Sequence, residues 1–282
     1  MNKKIYILLA SLPLWMSCAN DTNEKKEVVV EDKTENSGII FNIPSPAEQF
    51  EIISSLDGQK DIELVNDASR KYEGSASKAL NFGVFTADVA YLTSYKETSK
   101  YLNYFSTLEK LSKDLGVTEV FTKELGDLAK NWTGNADSLF KLSDQTYSKS
   151  FQKLVDIEKG NELSLMLAGG WIESMYLIFG TSKGFEKSPK IDQIIVDQKL
   201  VVENLLDFML DYQGNSDVNE YIKKLGTILD IYQTLDCKSS ETKVVKTNGK
   251  ISLSGGETCT LNSENFEKLK LEINKLRTEI IK

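Results

Sequence analysis

Residues 163–179, LSLMLAGGWIESMYLIF, are a helix-length run with a single charge, Glu173. A helix that is apolar on every side must be covered on every side, so this run demands a fold with at least one central helix. Residues 79–95, ALNFGVFTADVAYLTSY, make the same demand. Their apolar residues run nearly all around the helix, and Asp88 is the one charge, set among Phe85, Val89 and Tyr91. Gly169 and Gly170 each cost about 1 kcal/mol relative to alanine in a helix interior, which is tolerable where a second backbone packs against them. A membrane span is a weaker reading of 163–179, because Glu173 sits in the middle of it.

The rest of the chain supplies helices to surround these two. Val218, Tyr221, Ile222, Leu225, Ile228, Leu229, Tyr232 and Leu235 keep helical spacing, with Ser216 ahead of them as a cap. Phe266, Leu269, Ile273, Leu276 and Ile280 follow Asn262 and Ser263 in the same manner. Ser188-Pro189 opens a further helix through Met209, and weaker patterns cover about 76–96, 98–115, 119–131 and 136–158. Ser45-Pro46-Ala47-Glu48 combines a capping serine, a proline whose φ suits the first helical position, and a glutamate placed to close a capping box. The chain holds four prolines in all, and short glycine-marked connections such as Gly116, Gly134 and Gly214 imply antiparallel neighbours. The expectation is an all-α fold, an irregular antiparallel helical bundle of about nine or ten helices over 39–282; a short α-solenoid is the alternative, although no repeat period is visible.

One piece is not helical. Lys243-Val244-Val245-Lys246 and Lys250-Ile251-Ser252-Leu253 flank Asn248-Gly249, the residue pair that tight hairpin turns favour. A β-hairpin insert over 243–254 is expected, closed at its ends by a disulfide between Cys237 and Cys259. Closing a loop of that size stabilises by about 3 kcal/mol in the chain-entropy model.

The N-terminus reads as an address. Lys3 and Lys4 precede an apolar run, Ile5 to Trp15, that is too short for a bilayer core of roughly 20 apolar residues and is interrupted by Pro13. This is the pattern of a secretory signal peptide over 1–17. With Cys18 after Ser17 it resembles a bacterial lipoprotein signal, in which the cysteine thiol is lipidated and becomes the first residue. Trp15 and Met16 depart from the leucine and small residue that such signals usually carry there. Residues 18–38 would then be the lipidated cysteine and an acidic, flexible tether, too polar to offset its own ordering entropy.

Charge and composition narrow the chemistry. The net charge of −8 becomes −10 once residues 1–17, with two lysines and no acids, are removed. Such a protein repels nucleic-acid phosphates, and nucleic acid is not an expected partner. There is no histidine, so catalytic triads and metal sites that depend on imidazole are excluded. No cofactor, metal site or catalytic residue is indicated.

The candidate functional residues are therefore few. Asp88 and Glu173 could share one pocket with a raised pKa, a mark of functional sites, with Trp171 beside Glu173 at its mouth. The structural alternative is that each carboxylate is held by a tyrosine hydroxyl or a helix end. Tyr91, Tyr95, Tyr101 and Tyr104 cluster around one helix–turn–helix and could stack on a sugar or anchor an interface, or pack as inter-helix core.

Taken together, PSPAEQFEII, ALNFGVFTADVAY and LAGGWIESMYL resemble a group of uncharacterised all-helical lipoproteins of Bacteroidota, over most of residues 41–281. The resemblance implies an outer-membrane lipoprotein of the cell envelope, facing the periplasm or the cell surface, and carries no activity with it. The acids that follow Cys18 look like the export signals of some surface lipoproteins in these bacteria; a plain spacer is the alternative reading. The expected role is a non-enzymatic, membrane-anchored lipoprotein that binds or assembles with a partner protein. A binder of a small ligand or glycan is the alternative, and a carboxylate-based hydrolase the third reading.

Overall fold

The computed structural model describes residues 43–48, 50, 60–97, 100–121, 136–247 and 250–282, without the side chains of 136, 137 and 240–256. All lie in one of two compact units of the chain, Ile40–Lys282. The signal peptide, Cys18, the tether, most of the helix expected over 119–131 and the Asn248-Gly249 turn fall outside the described residues.

Seven α-helices are described: α1 (Ser75–Ser94), α2 (Tyr101–Leu115), α3 (Ala136–Asp156), α4 (Gly160–Thr181), α5 (Pro189–Leu210), α6 (Ser216–Gln233) and α7 (Ser263–Ile280). With the 3-10 turn Thr118–Val120 these make eight helical elements rather than the nine or ten expected, and residues 46–48 and 50 are also helical. A two-stranded antiparallel sheet, β1 (Asp236–Thr247) and β2 (Lys250–Thr260), precedes α7.

Local chemistry accounts for the helix starts. The Ser45 hydroxyl accepts from the Glu48 amide at 3.2 Å while Glu48 Oε2 accepts from the Ser45 amide at 2.7 Å, the reciprocal capping box read from the sequence. Pro189 stands in the first turn of α5. At α6 the cap is Asn215, not the expected Ser216: its side-chain oxygen accepts from Asp217 and Val218 amides at 3.0 and 3.1 Å. An asparagine one residue earlier reaches those amides and leaves Ser216 as the first helical residue. Asn262 caps α7 in the same way, on the Asn265 amide at 2.8 Å.

α1 and α4 form the centre. Every residue of α1 from Ala79 to Thr93 is buried, and α4 is buried from Leu163 to Met175 without a break. α4 is long and apolar enough to span a membrane by composition, but 89% of its most apolar window is buried inside the protein. The two axes approach so closely that glycine is required. A Cβ on Gly83 would lie 2.0 Å from Met166 O, and one on Gly169 2.1 Å from Leu80 O. Only a residue without a side chain admits a neighbouring backbone at that distance.

Contacts climb in the same direction along both helices: Ser75 meets Glu162, Leu80 meets Gly169, Gly83 meets Gly170 and Asp88 meets Glu173. The central pair is therefore parallel, against the antiparallel expectation. Short connections enforce antiparallel order only between chain neighbours, and α1 and α4 are not chain neighbours. α2 and α3 pack on α1, α5 and α6 on the other side around α4, and α7 runs antiparallel to α4 and touches α1 at its end.

The hairpin is longer than the expected 243–254. Its ladder begins at Asp236↔Thr260, with Cys237 and Cys259 as directly opposed residues joined by a disulfide. The bond lies within the ladder rather than beyond it, so pairing extends to the cysteines. Two residues of β1 oppose one of β2 between Ser240 and Lys243, a bulge that hydrophobic alternation does not announce.

Candidate functional site

The close contact of α1 and α4 brings their two acids together. Asp88 lies five residues beyond Gly83 and Glu173 three beyond Gly170, and both side chains are fully buried. A cation arrives from a third helix. Arg277, in the last turn of α7, donates from Nε to Glu173 Oε2 at 3.0 Å and from Nη2 to Glu173 Oε1 at 3.2 Å. The fork matches the carboxylate with two parallel bonds. Nη2 also reaches Leu64 O at 3.2 Å, and the guanidinium carbon stands 4.3 Å from the Tyr176 ring centre.

Asp88 is held differently. Its Oδ2 accepts from the Asn66 amide at 3.1 Å, whereas Oδ1, as a carboxylate oxygen, meets no donor among the described residues. Protonated, Asp88 becomes a donor to the neighbouring Glu173. Burial, then the adjacent Glu173 charge, pushes the Asp88 carboxyl well above the ordinary range, against the pull of Arg277. Burial also raises Glu173, while Arg277 draws it down by charge and hydrogen bonding. With one guanidinium beside the two buried acids, a single proton on the pair makes the cluster neutral, and Asp88, raised further and lacking the guanidinium fork that holds Glu173, is the member on which the proton is favoured.

The segment 60–74 seals the cluster. Asn66 donates from Nδ2 to the Tyr72 hydroxyl at 2.8 Å, and its carbonyl accepts from the Tyr104 hydroxyl at 2.5 Å. Arg70 donates to Ile281 O, and Asn81 Nδ2 donates to Ile280 O at 2.9 Å, fixing the end of α7 that carries Arg277. Arg70 and Arg277 are the only arginines among 34 cationic residues. Sequence reasoning missed Arg277, yet it falls on the apolar stripe of α7, four residues after Ile273 and beside Leu276. A lone arginine on such a stripe signals a buried carboxylate partner.

The other candidates do not join this cluster. Trp171 is buried on the α5 side, donating from Nε1 to Gln198 Oε1 at 3.0 Å, and does not stand at a mouth above Glu173. The tyrosines pack as aromatic core. Tyr91 packs edge-on against Phe50 at 5.5 Å and lies 4.9 Å from Tyr95; Tyr104 packs on Phe85 at 5.9 Å, and Tyr101 on Phe105 at 6.0 Å. Tyr91, Tyr101 and Tyr104 are at most 4% exposed, so these rings offer no free face to a sugar. Tyr95 is half-buried, and its hydroxyl has no partner among the described residues. The Tyr91 hydroxyl bonds both the amide and carbonyl of Asp61, and burial pushes its phenol up to about 12.

Concave features among the described residues include a small cavity and an open groove. A cavity of about 10 Å³ between α1, α2 and α3 has room for one water at most. An open groove of about 390 Å³ lies between α5 and the base of the hairpin, bordered by Val196, Lys199, Leu200, Glu203, Glu257 and Cys259. Comparison with family models, curated proteins and solved structures finds no match to this chain.

Proposed function

We propose that this protein is a non-enzymatic helical lipoprotein, anchored to the outer membrane through Cys18, that binds or assembles with a partner protein. The observation that carries the reading is the state of the two acids. A hydrolase needs a carboxylate that meets water and substrate. Here Glu173 is fully buried and forked by Arg277, while Asp88 is buried, accepts from the Asn66 amide and is set beside Glu173. The chemistry most able to catalyse is absorbed in joining α1, α4, α7 and the 60–74 segment. The anchor rests on the leader sequence and Cys18, and the groove beside α5, with Leu200 61% exposed at its edge, is the face offered to a partner.

The test is made in native membranes. A Cys18→Ala protein should leave the membrane fraction or remain unprocessed, and a photo-crosslinker at position 200 should yield one discrete heavier species that the same probe at exposed Leu271 does not. Retention of the Cys18→Ala protein in the membrane contradicts the anchor. Identical behaviour of the two probes contradicts a specific partner face.

A further inference from the structure

The groove ends at the disulfide, and its walls carry more than a structural bridge needs. Cys259 borders the groove, 8% exposed, and the half-buried Cys237 lies directly across the ladder. Lys199 projects from α5 with Nζ 4.0 Å from Cys237 Sγ and 2.5 Å from Glu257 Oε2. The two sulfurs and a Glu257 carboxylate oxygen lie within 4.8 Å of one another. The lysine side chain is 17% exposed, so its ammonium is partly withdrawn from water where it meets the sulfur.

We propose that Cys237–Cys259 is a thiol–disulfide exchange centre, entered through the α5–hairpin groove, with Cys259 the sulfur attacked and Cys237 the sulfur released beside Lys199. An incoming thiolate, its proton already lost to water, forms a bond to Cys259 Sγ as the Cys259–Cys237 bond breaks. The electron pair of that bond stays on Cys237, whose thiolate the Lys199 ammonium stabilises; a better leaving thiolate speeds exchange. Back-attack by Cys237 on the mixed disulfide restores the bridge and frees the thiol. A second thiolate from the same class of reductant completes the alternative course, leaving two protein thiolates and one new disulfide in the reductant. The substrate class is a thiol that enters about 390 Å³ of open space, a size range typical of small-molecule sites. Reduction would unclasp β1 from β2 at the junction between α6 and α7. This goes beyond the proposed partner binding and does not depend on it.

The experiment uses the oxidised full chain, folded, with glutathione as the probe and a short single-cysteine peptide as a second probe. After quenching with a maleimide, peptide mapping should find the probe on Cys259 and the maleimide on Cys237. Lys199→Gln should slow the reaction about threefold to tenfold, and Lys199→Arg should restore it. A faster reaction with the peptide identifies a protein cysteine as the source of the thiol, and a faster reaction with glutathione a small thiol. Failure of both probes to react without denaturant overturns the proposal, as does an adduct on Cys237 or a rate indifferent to Lys199→Gln.

Discussion

Asp88 and Glu173 face one another, yet neutralising each should have opposite consequences. Glu173→Gln keeps the shape and removes the charge, leaving the Arg277 guanidinium, 12% exposed, with Leu64 O and the Tyr176 ring. Breaking one side of a buried ion pair costs about 3–5 kcal/mol. At about 2–4 °C per kcal/mol for a unit of this size, the melting temperature should fall by about 6–20 °C. Asp88→Asn replaces a carboxylic acid by an amide of the same outline, whose oxygen accepts from Asn66 and whose nitrogen donates to Glu173. Its effect near pH 4 should lie within about 1 kcal/mol.

The pH dependence follows from the direction of the Asp88 shift. The folded protein holds a proton that the unfolded chain has released above the ordinary aspartate value of 3.8. The stability that Asp88 contributes is therefore full below that value and is lost as pH rises from it toward the raised folded value. Asparagine cannot ionise, so Asp88→Asn should gain on the wild type across that window. Urea unfolding of both variants from pH 4 to pH 8 measures this. Equal destabilisation by the two substitutions, or an Asp88→Asn loss that grows with pH, would refute the shared-proton account.

Two further predictions test the scaffold. Gly83→Ala should destabilise by at least about 1–3 kcal/mol, because its Cβ meets backbone at Met166 and Gly170. Gly226→Ala in α6, where a Cβ meets nothing within 4 Å, should instead gain up to about 1 kcal/mol, and thermal melts compare the two. Asn215→Ala should cost about 0.5–2 kcal/mol through loss of the α6 cap, with Ser216→Ala costing less, as read by urea unfolding.

The parts of the fold that were legible are those fixed by short-range chemistry. The Ser45–Glu48 capping box, Pro189 at its helix start and the Cys237–Cys259 bridge each involve residues whose types and spacing specify one another. Two helices apolar on every side had to be central, and they are. What was not legible depends on pairing between distant segments. The parallel course of α1 and α4 is set by which glycines find which backbone, and Gly83 meets Met166 across more than eighty residues. The full hairpin was hidden because β1 opens on Asp236, Lys238, Ser239 and Ser240, residues with no apolar alternation, held in register by the disulfide. The meeting of Asp88 and Glu173 could be conceived from two carboxylates on two central helices. Their partner was harder to find, because Arg277 lies over a hundred residues beyond Glu173 and only its place on the apolar stripe of α7 marks it.

Burial and the neighbouring Glu173 charge favour a proton on Asp88, and that proton can be observed directly. Carbon-13 resonances of the side-chain carboxyls, followed by NMR from pH 3 to pH 8 in the wild type and in Asp88→Asn, report protonation residue by residue. One aspartic acid should keep its protonated chemical shift at neutral pH, and this resonance should be the one absent from Asp88→Asn. A carboxyl of Asp88 that titrates in the ordinary aspartate range, near 4, would contradict it.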